Sequence, residues 1–140
     1  MESEDEIVNI PKTMERFFGC SGTMLKPSPS TVAALIKKIP QGQVTTLDAL
    51  CKKLAKDFKT AVACPATTEK SLCLAAANSV EEHLKLPYWR VLKKSGELIQ
   101  KFPNGIEGQA VNLSGEGDEI VSTKKSKMVK DFEHLLFHFP

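Results

Sequence analysis

The chain has 140 residues, 41% of them hydrophobic and 26% charged, with a formal net charge of +2. This is the balance of an ordinary globular domain, long enough to bury roughly two-thirds of its unfolded surface in one core without staples. The composition excludes a membrane span, which needs about twenty consecutive apolar residues, and so small a charge does not by itself announce a nucleic-acid binder. The acidic start "MESEDEI" lacks the apolar segment of a signal peptide. Cys20, Cys51, Cys64 and Cys73 show neither CxxC nor Cys/His ligand spacing, and His83, His134 and His138 add none. The thiols therefore read as reduced, in an intracellular protein that is either cytoplasmic and nucleoid-associated or nuclear. No metal or other cofactor is expected.

Residues 1–27 read as a poorly ordered leader, because Gly and Pro interrupt its apolar residues before any helix becomes long. Residues 28–140 read as the domain. In "SPSTVAALIKKIP", Val32, Leu35, Ile36 and Ile39 fall on one face of a short helix that Ser28 or Ser30 caps and Pro40 stops. After the turn "QGQV", Thr45 and Asp48 have the spacing of a capping box, and Leu47, Leu50, Cys51, Leu54 and Phe58 continue the apolar face of a second helix. A third, Ala-rich helix is expected from Thr67 to Glu82, the longest of the three, with Thr67 as its cap. Together the second and third helices make a helix-turn-helix.

Beyond Pro87 the period changes. "WRVLKKSGELI" predicts two short strands around a turn at Lys94-Ser95-Gly96, on which Tyr88 and Trp89 point to opposite faces. "IEGQAVNL" predicts a short helix closed by "SGEG". "EIVSTKKSKMVKDF" predicts a second hairpin with Ile120, Val121, Met128 and Val129 on its strands and a basic tip at Lys124 and Lys125. Helices followed by hairpins give an α+β, mainly helical domain of the winged helix-turn-helix kind, with no parallel sheet.

The runs "IPQGQVTTLDAL", "LPYWRVLKKSGEL" and "EGDEIV", in this order and spacing, resemble the DNA-binding half of the alkylguanine DNA alkyltransferases. The likeness runs from about Pro29 to Phe137 and is closer still to their non-catalytic relatives, the alkyltransferase-like proteins. In the catalytic family a PCHRV motif carries the cysteine that accepts the alkyl group from a flipped guanine. The corresponding run here is Pro87-Tyr88-Trp89-Arg90-Val91, with Tyr88 at the nucleophile's position and Trp89 at the histidine's, while the family's glutamate is retained as Glu116. A phenol with a pKa near 10 and no adjacent base does not replace an activated thiolate, so the resemblance implies a protein that is not an enzyme. Alkyltransferase-like proteins commonly read PWHRV, from which this chain also departs. Leu47 stands where the family has the tyrosine that helps rotate the nucleotide, and Lys70 or Ser71 falls at the position of its gap-filling arginine.

The resemblance implies a base pocket formed by Tyr88, Trp89, Phe102 and Glu116, a double-stranded DNA partner carrying alkylated guanine, and a link to repair through a partner protein. It implies a monomer. Thr67, Thr68, Lys70, Ser71 and Asn78 lie on or just before the reading helix, with Arg90, Lys124 and Lys125 as further phosphate contacts. Each has a plainer reading as well. Thr67 caps a helix, Asn78 is a surface residue, Tyr88 and Trp89 pack a strand, and Arg90 ties the hairpin to the helices. Cys64, just before a helix N-terminus, is either a lowered-pKa thiol or a buried small residue, the commoner case. The competing function is a winged-helix interaction module that has lost DNA binding and uses its pocket for a protein or small ligand.

Overall fold

The computed structural model describes residues 4–122 and 126–139. In these residues five α-helices and three small sheets make an α+β fold. The chain opens with β1 (Glu6–Asn9), α1 (Lys12–Phe18) and β2 (Thr23–Lys26), followed by α2 (Pro29–Ile36). Next come β3 (Thr45–Thr46), α3 (Leu47–Phe58), β4 (Val62–Ala63) and α4 (Pro65–Glu81). A 3-10 turn (Tyr88–Arg90) leads into β5 (Val91–Leu92), then α5 (Gly105–Gly115), β6 (Ile120–Ser122) and β7 (Lys127–Val129). No helix among the described residues is long and apolar enough to cross a membrane.

The helices form where periodicity places them, but their starts differ in detail. Of the two serines expected to cap α2, Ser28 is the cap and Ser30 lies inside the helix; the Ser28 hydroxyl accepts the Thr31 N–H at 3.3 Å with Pro29 at the first helical position. The second helix is capped by Thr46 and not by Thr45: Thr46 accepts the Ala49 N–H at 3.2 Å. Thr45 is taken by β3, where it lies buried opposite Val91. Asp48 therefore sits one place too early to complete a capping box. α4 begins at Pro65, two residues ahead of expectation, and Thr67 lies inside its first turn and does not cap it. At 17 residues it is the longest of the helices, as its Ala-rich run predicts.

Three expectations are corrected. The stretch before Pro29 is an ordered layer: β1 and β2 pair antiparallel, and Leu25 enters the core of α2, α3 and α4. Ile10 and Met24 pack with Cys64 at the start of α4. Local sequence hides this, because elements this short owe their stability to tertiary partners more than to propensity. The sheets also contain parallel pairings, β2 with β4 and β3 with β5, each two residues long. Finally, the turn at Lys94-Ser95-Gly96 exists, with the Lys93 N–H bound to the Glu97 carbonyl at 2.9 Å, but no second strand returns along β5. The β6–β7 hairpin forms as expected; its tip at Lys124 and Lys125 lies outside the described residues.

The inner faces of α2, α3 and α4 enclose the main core with Leu25, Tyr88 and Phe102. A second cluster, built from Val44, Leu92, Leu98, Leu113 and Val129, joins α5 to the β6–β7 hairpin. Leu25→Ala is expected to cost about 2–4 kcal/mol in urea unfolding, as for a fully buried leucine. A cost below about 0.5 kcal/mol, typical of a surface site, would mean that the first layer does not belong to the core.

Candidate functional site

The Pro87–Val91 motif leaves α4 through a short connection that α4 itself organises. Ser79 donates to the Leu84 carbonyl at 3.0 Å and accepts the Leu86 N–H at 3.3 Å. The motif then coils into a single 3-10 turn in place of the expected strand. Gln109, fully buried on α5, accounts for this geometry. Its amide donates to the Trp89 carbonyl at 3.0 Å and the Val91 carbonyl at 2.9 Å, while its carbonyl accepts the Ile99 N–H at 2.7 Å. Three backbone groups are thus satisfied by one side chain. Sequence reasoning missed Gln109; its only signal is a polar residue on the inward face of an otherwise apolar short helix.

Arg90 closes the site from the other side. Its Nε donates to Glu116 Oε1 at 2.9 Å and Oε2 at 3.2 Å, and its Nη2 also contacts Oε2. Nη1 donates to the Ile39 carbonyl at 2.7 Å, and the guanidinium lies 5.9 Å from the Trp89 ring centroid. Both ionic side chains are largely buried, at 13% and 11% exposure. Arg90 is therefore a structural tie with its donors engaged, which corrects its reading as a phosphate contact.

Burial alone would raise the Glu116 pKa, but the hydrogen bonds and charge of Arg90 outweigh it, and Trp89 and the Gly42 backbone add to their effect. The carboxyl is held below its ordinary value. The buried indole N–H of Trp89 contributes by its nearness only, since it closes no hydrogen bond. Asp118, two residues on, goes the opposite way: burial pushes its carboxyl up and the Glu116 charge adds to this, against the pull of Arg90.

Tyr88, Trp89 and Phe102 do come together, as the base-pocket reading requires. Tyr88 meets Phe102 edge-on at 5.0 Å between centroids and Trp89 edge-on at 5.3 Å. The contact is closed, however. Tyr88 is 4% exposed and Phe102 3%, and both rings are packed into the main core. Glu116 is not part of this cluster but belongs to Arg90. Burial pushes the Tyr88 phenol up in pKa and keeps it protonated.

On α4 the predicted DNA residues divide by face. Lys70 and Asn78 are exposed and Thr67 is half-buried; Lys70 makes no ion pair among the described residues. Thr68 and Ser71 point inward, which corrects their reading as DNA contacts. Ser71 donates to the Pro27 carbonyl at 2.6 Å. Thr68 is 0% exposed beside the Cys51 thiol, without closing a hydrogen bond to it. Pro65, Ala66, Leu74, Ala77, Val80 and Glu81 are the other exposed residues of α4. Cys64 is the buried residue that opens α4. Burial pushes the Cys51 and Cys73 thiols up in pKa, so neither is an activated thiolate.

No protein-family model and no curated protein matches the chain. Solved structures do match. The alkyltransferase-like (ATL) protein of S. pombe in complex with DNA superimposes with a TM-score of 0.60 at 16% identity, over 78% of this chain and 93% of that one. The chain shares the fold of the S. pombe ATL protein. S. pombe Atl1 in complex with damaged DNA containing O6-carboxymethylguanine gives a TM-score of 0.53 at 19% identity over the same shares. At such identities the likeness concerns the backbone, and site residues have to be judged on their own geometry.

The Arg90–Glu116 pair predicts a specific pH dependence. Because the folded pKa of Glu116 is depressed, its contribution is fully present above the unfolded carboxyl pKa of about 4.3 and is lost as pH falls through the folded value. Glu116→Gln, which leaves Arg90 without its counter-charge, is expected to destabilise the protein by about 3–5 kcal/mol near neutral pH. In denaturant titrations this difference from the parent shrinks below pH 4. A difference that stays constant down to pH 3 would sink the assignment.

Proposed function

We propose that this chain is a non-catalytic alkyltransferase-like protein, a winged helix-turn-helix that binds duplex DNA as a monomer through α4, with the β6–β7 hairpin as its wing. The observation that carries the reading is the backbone likeness to an S. pombe ATL protein solved in complex with DNA. In support, α4 presents an outer face whose cation, Lys70, is free to meet phosphate, with Thr67 and Asn78 beside it. Ala66, Leu74 and Ala77 on that face offer few groups that read base edges, so binding with little sequence preference is expected. A DNA partner would place the protein in the nucleus or with a nucleoid, in contact with repair proteins. Lys124 and Lys125 remain further phosphate contacts of this proposal.

The absence of alkyl transfer follows from chemistry. Tyr88 is a buried, protonated phenol, Trp89 is no base, and Glu116 is neutralised by Arg90. Recognition of an alkylated guanine is the finer part of the proposal. It requires the Tyr88–Phe102 contact to open, a step opposed by core packing and by the base's own unstacking cost of a few kcal/mol. One observation favours the competing interaction module. A groove of about 890 Å³ between α2 and α4 is lined by Ala33, Ala34, Ala77 and the exposed Leu74 and Leu84.

Titration of plain and O6-alkylguanine duplexes at two salt concentrations separates the two readings. DNA binding is expected to weaken with salt at a slope of about −0.9 per phosphate engaged, and Lys70→Ala to lower that slope by about one. No binding even at low salt would favour the interaction module. Incubation with labelled alkylated duplex is expected to leave no label on the protein. Stable label would refute the non-catalytic reading and make Cys64 the first residue to map.

A further inference from the structure

We infer that the first layer of the chain is a second DNA-contacting element, in which the outward face of α1 binds the phosphate backbone beside the stretch covered by α4. This inference rests on the DNA-binding reading above and extends it to residues that the alkyltransferase-like resemblance, which begins near Pro29, does not reach.

The geometry starts from how α1 is held. Its inner residues Met14 and Phe18, together with Cys20, pack on the cluster of Ile10, Met24 and Cys64, and Cys64 is the residue from which α4 starts. β2 pairs with β4 in the connection between α3 and α4, and Gly22 abuts Ala61 there so closely that an added Cβ would lie 3.3 Å from the alanine's. The first layer is therefore fixed against the helix-turn-helix connection, with α1 packed next to the residue that caps α4.

The face that α1 turns outward carries Lys12, Arg16 and Phe17, all exposed, with Phe17 at 76%. Lys12 and Arg16 stand four residues apart, on one side of the helix. Neither forms an ion pair among the described residues, nor does Lys59, exposed in the adjoining connection. Glu15 is half-buried and is the one acid of α1. Unpaired cations beside an exposed aromatic ring suit a polyanion that also offers sugar and base faces, and a duplex is such a partner. Each phosphate neutralised adds to the salt dependence, which makes the contact measurable apart from affinity alone.

The test uses the full chain and a duplex of about two turns, titrated at several salt concentrations. The Lys12→Ala/Arg16→Ala double variant, changed only at exposed positions, is compared with the parent and with Lys70→Ala. An affinity about three- to tenfold weaker at low salt, with a salt slope smaller by nearly two, is the expected result. Phe17→Ala should weaken binding with the slope unchanged. If the parent binds with a clear salt slope and the double variant matches it, α1 is not a DNA contact and this inference falls while the α4 reading stands. If the parent does not bind duplex DNA at all, both fall.

Discussion

The guanidinium of Arg90 reaches the carboxylate that ends α5 and the carbonyl of Ile39 just beyond α2, from a turn that itself follows α4. Three helices are thus referred to one side chain. The arrangement works because the pair is largely buried. There, losing one partner strands a charge at a cost of about 3–5 kcal/mol, whereas an exposed ion pair is worth about 1 kcal/mol or less. Gln109 fixes the same turn from the opposite side, through the carbonyls of Trp89 and Val91. The motif turn is held by these two polar side chains, and the motif's last residue, Val91, enters the short β3–β5 ladder opposite Thr45.

That hold on the turn bears on the chemistry at the motif. A reactive residue at the second motif position has to face a substrate; here the position holds a phenol packed edge-on against Phe102 and Trp89. The aromatic pair that stands out in the sequence is thereby explained chiefly by packing. On the proposed reading, the scaffold is kept for holding a nucleic acid while the place where a thiolate would act has become part of the core.

Much of this was legible from the sequence, for identifiable reasons. Val32, Leu35 and Ile36 give a stripe wide enough to fix α2, and the Ala-rich run predicts α4 as the longest helix. What was not legible depends on partners distant in the chain. The face of α4 is ambiguous in a helix rich in alanine, so Thr68 and Ser71 look like surface residues until α3 and Pro27 are seen to cover them. Tyr88 and Trp89 read as alternating strand residues because the side chain that coils them, Gln109, lies about twenty positions later. The first layer escapes any local rule: its strands are four residues long and hold only through pairing and burial.

The pairing of Met24 with Val62 and of Leu25 with Ala63 has a consequence for the order in which the molecule assembles. These contacts span 38 residues, and closing a loop of that length is entropically opposed until both ends have something to hold. Helices α3 and α4, separated only by the connection that carries β4, can form mutual contacts sooner. During synthesis β1 and β2 emerge before β4 and have only each other to pair with until the connection between α3 and α4 has been made. β2 is thus paired on one side before the other, and Met24 and Leu25 wait for their β4 partners.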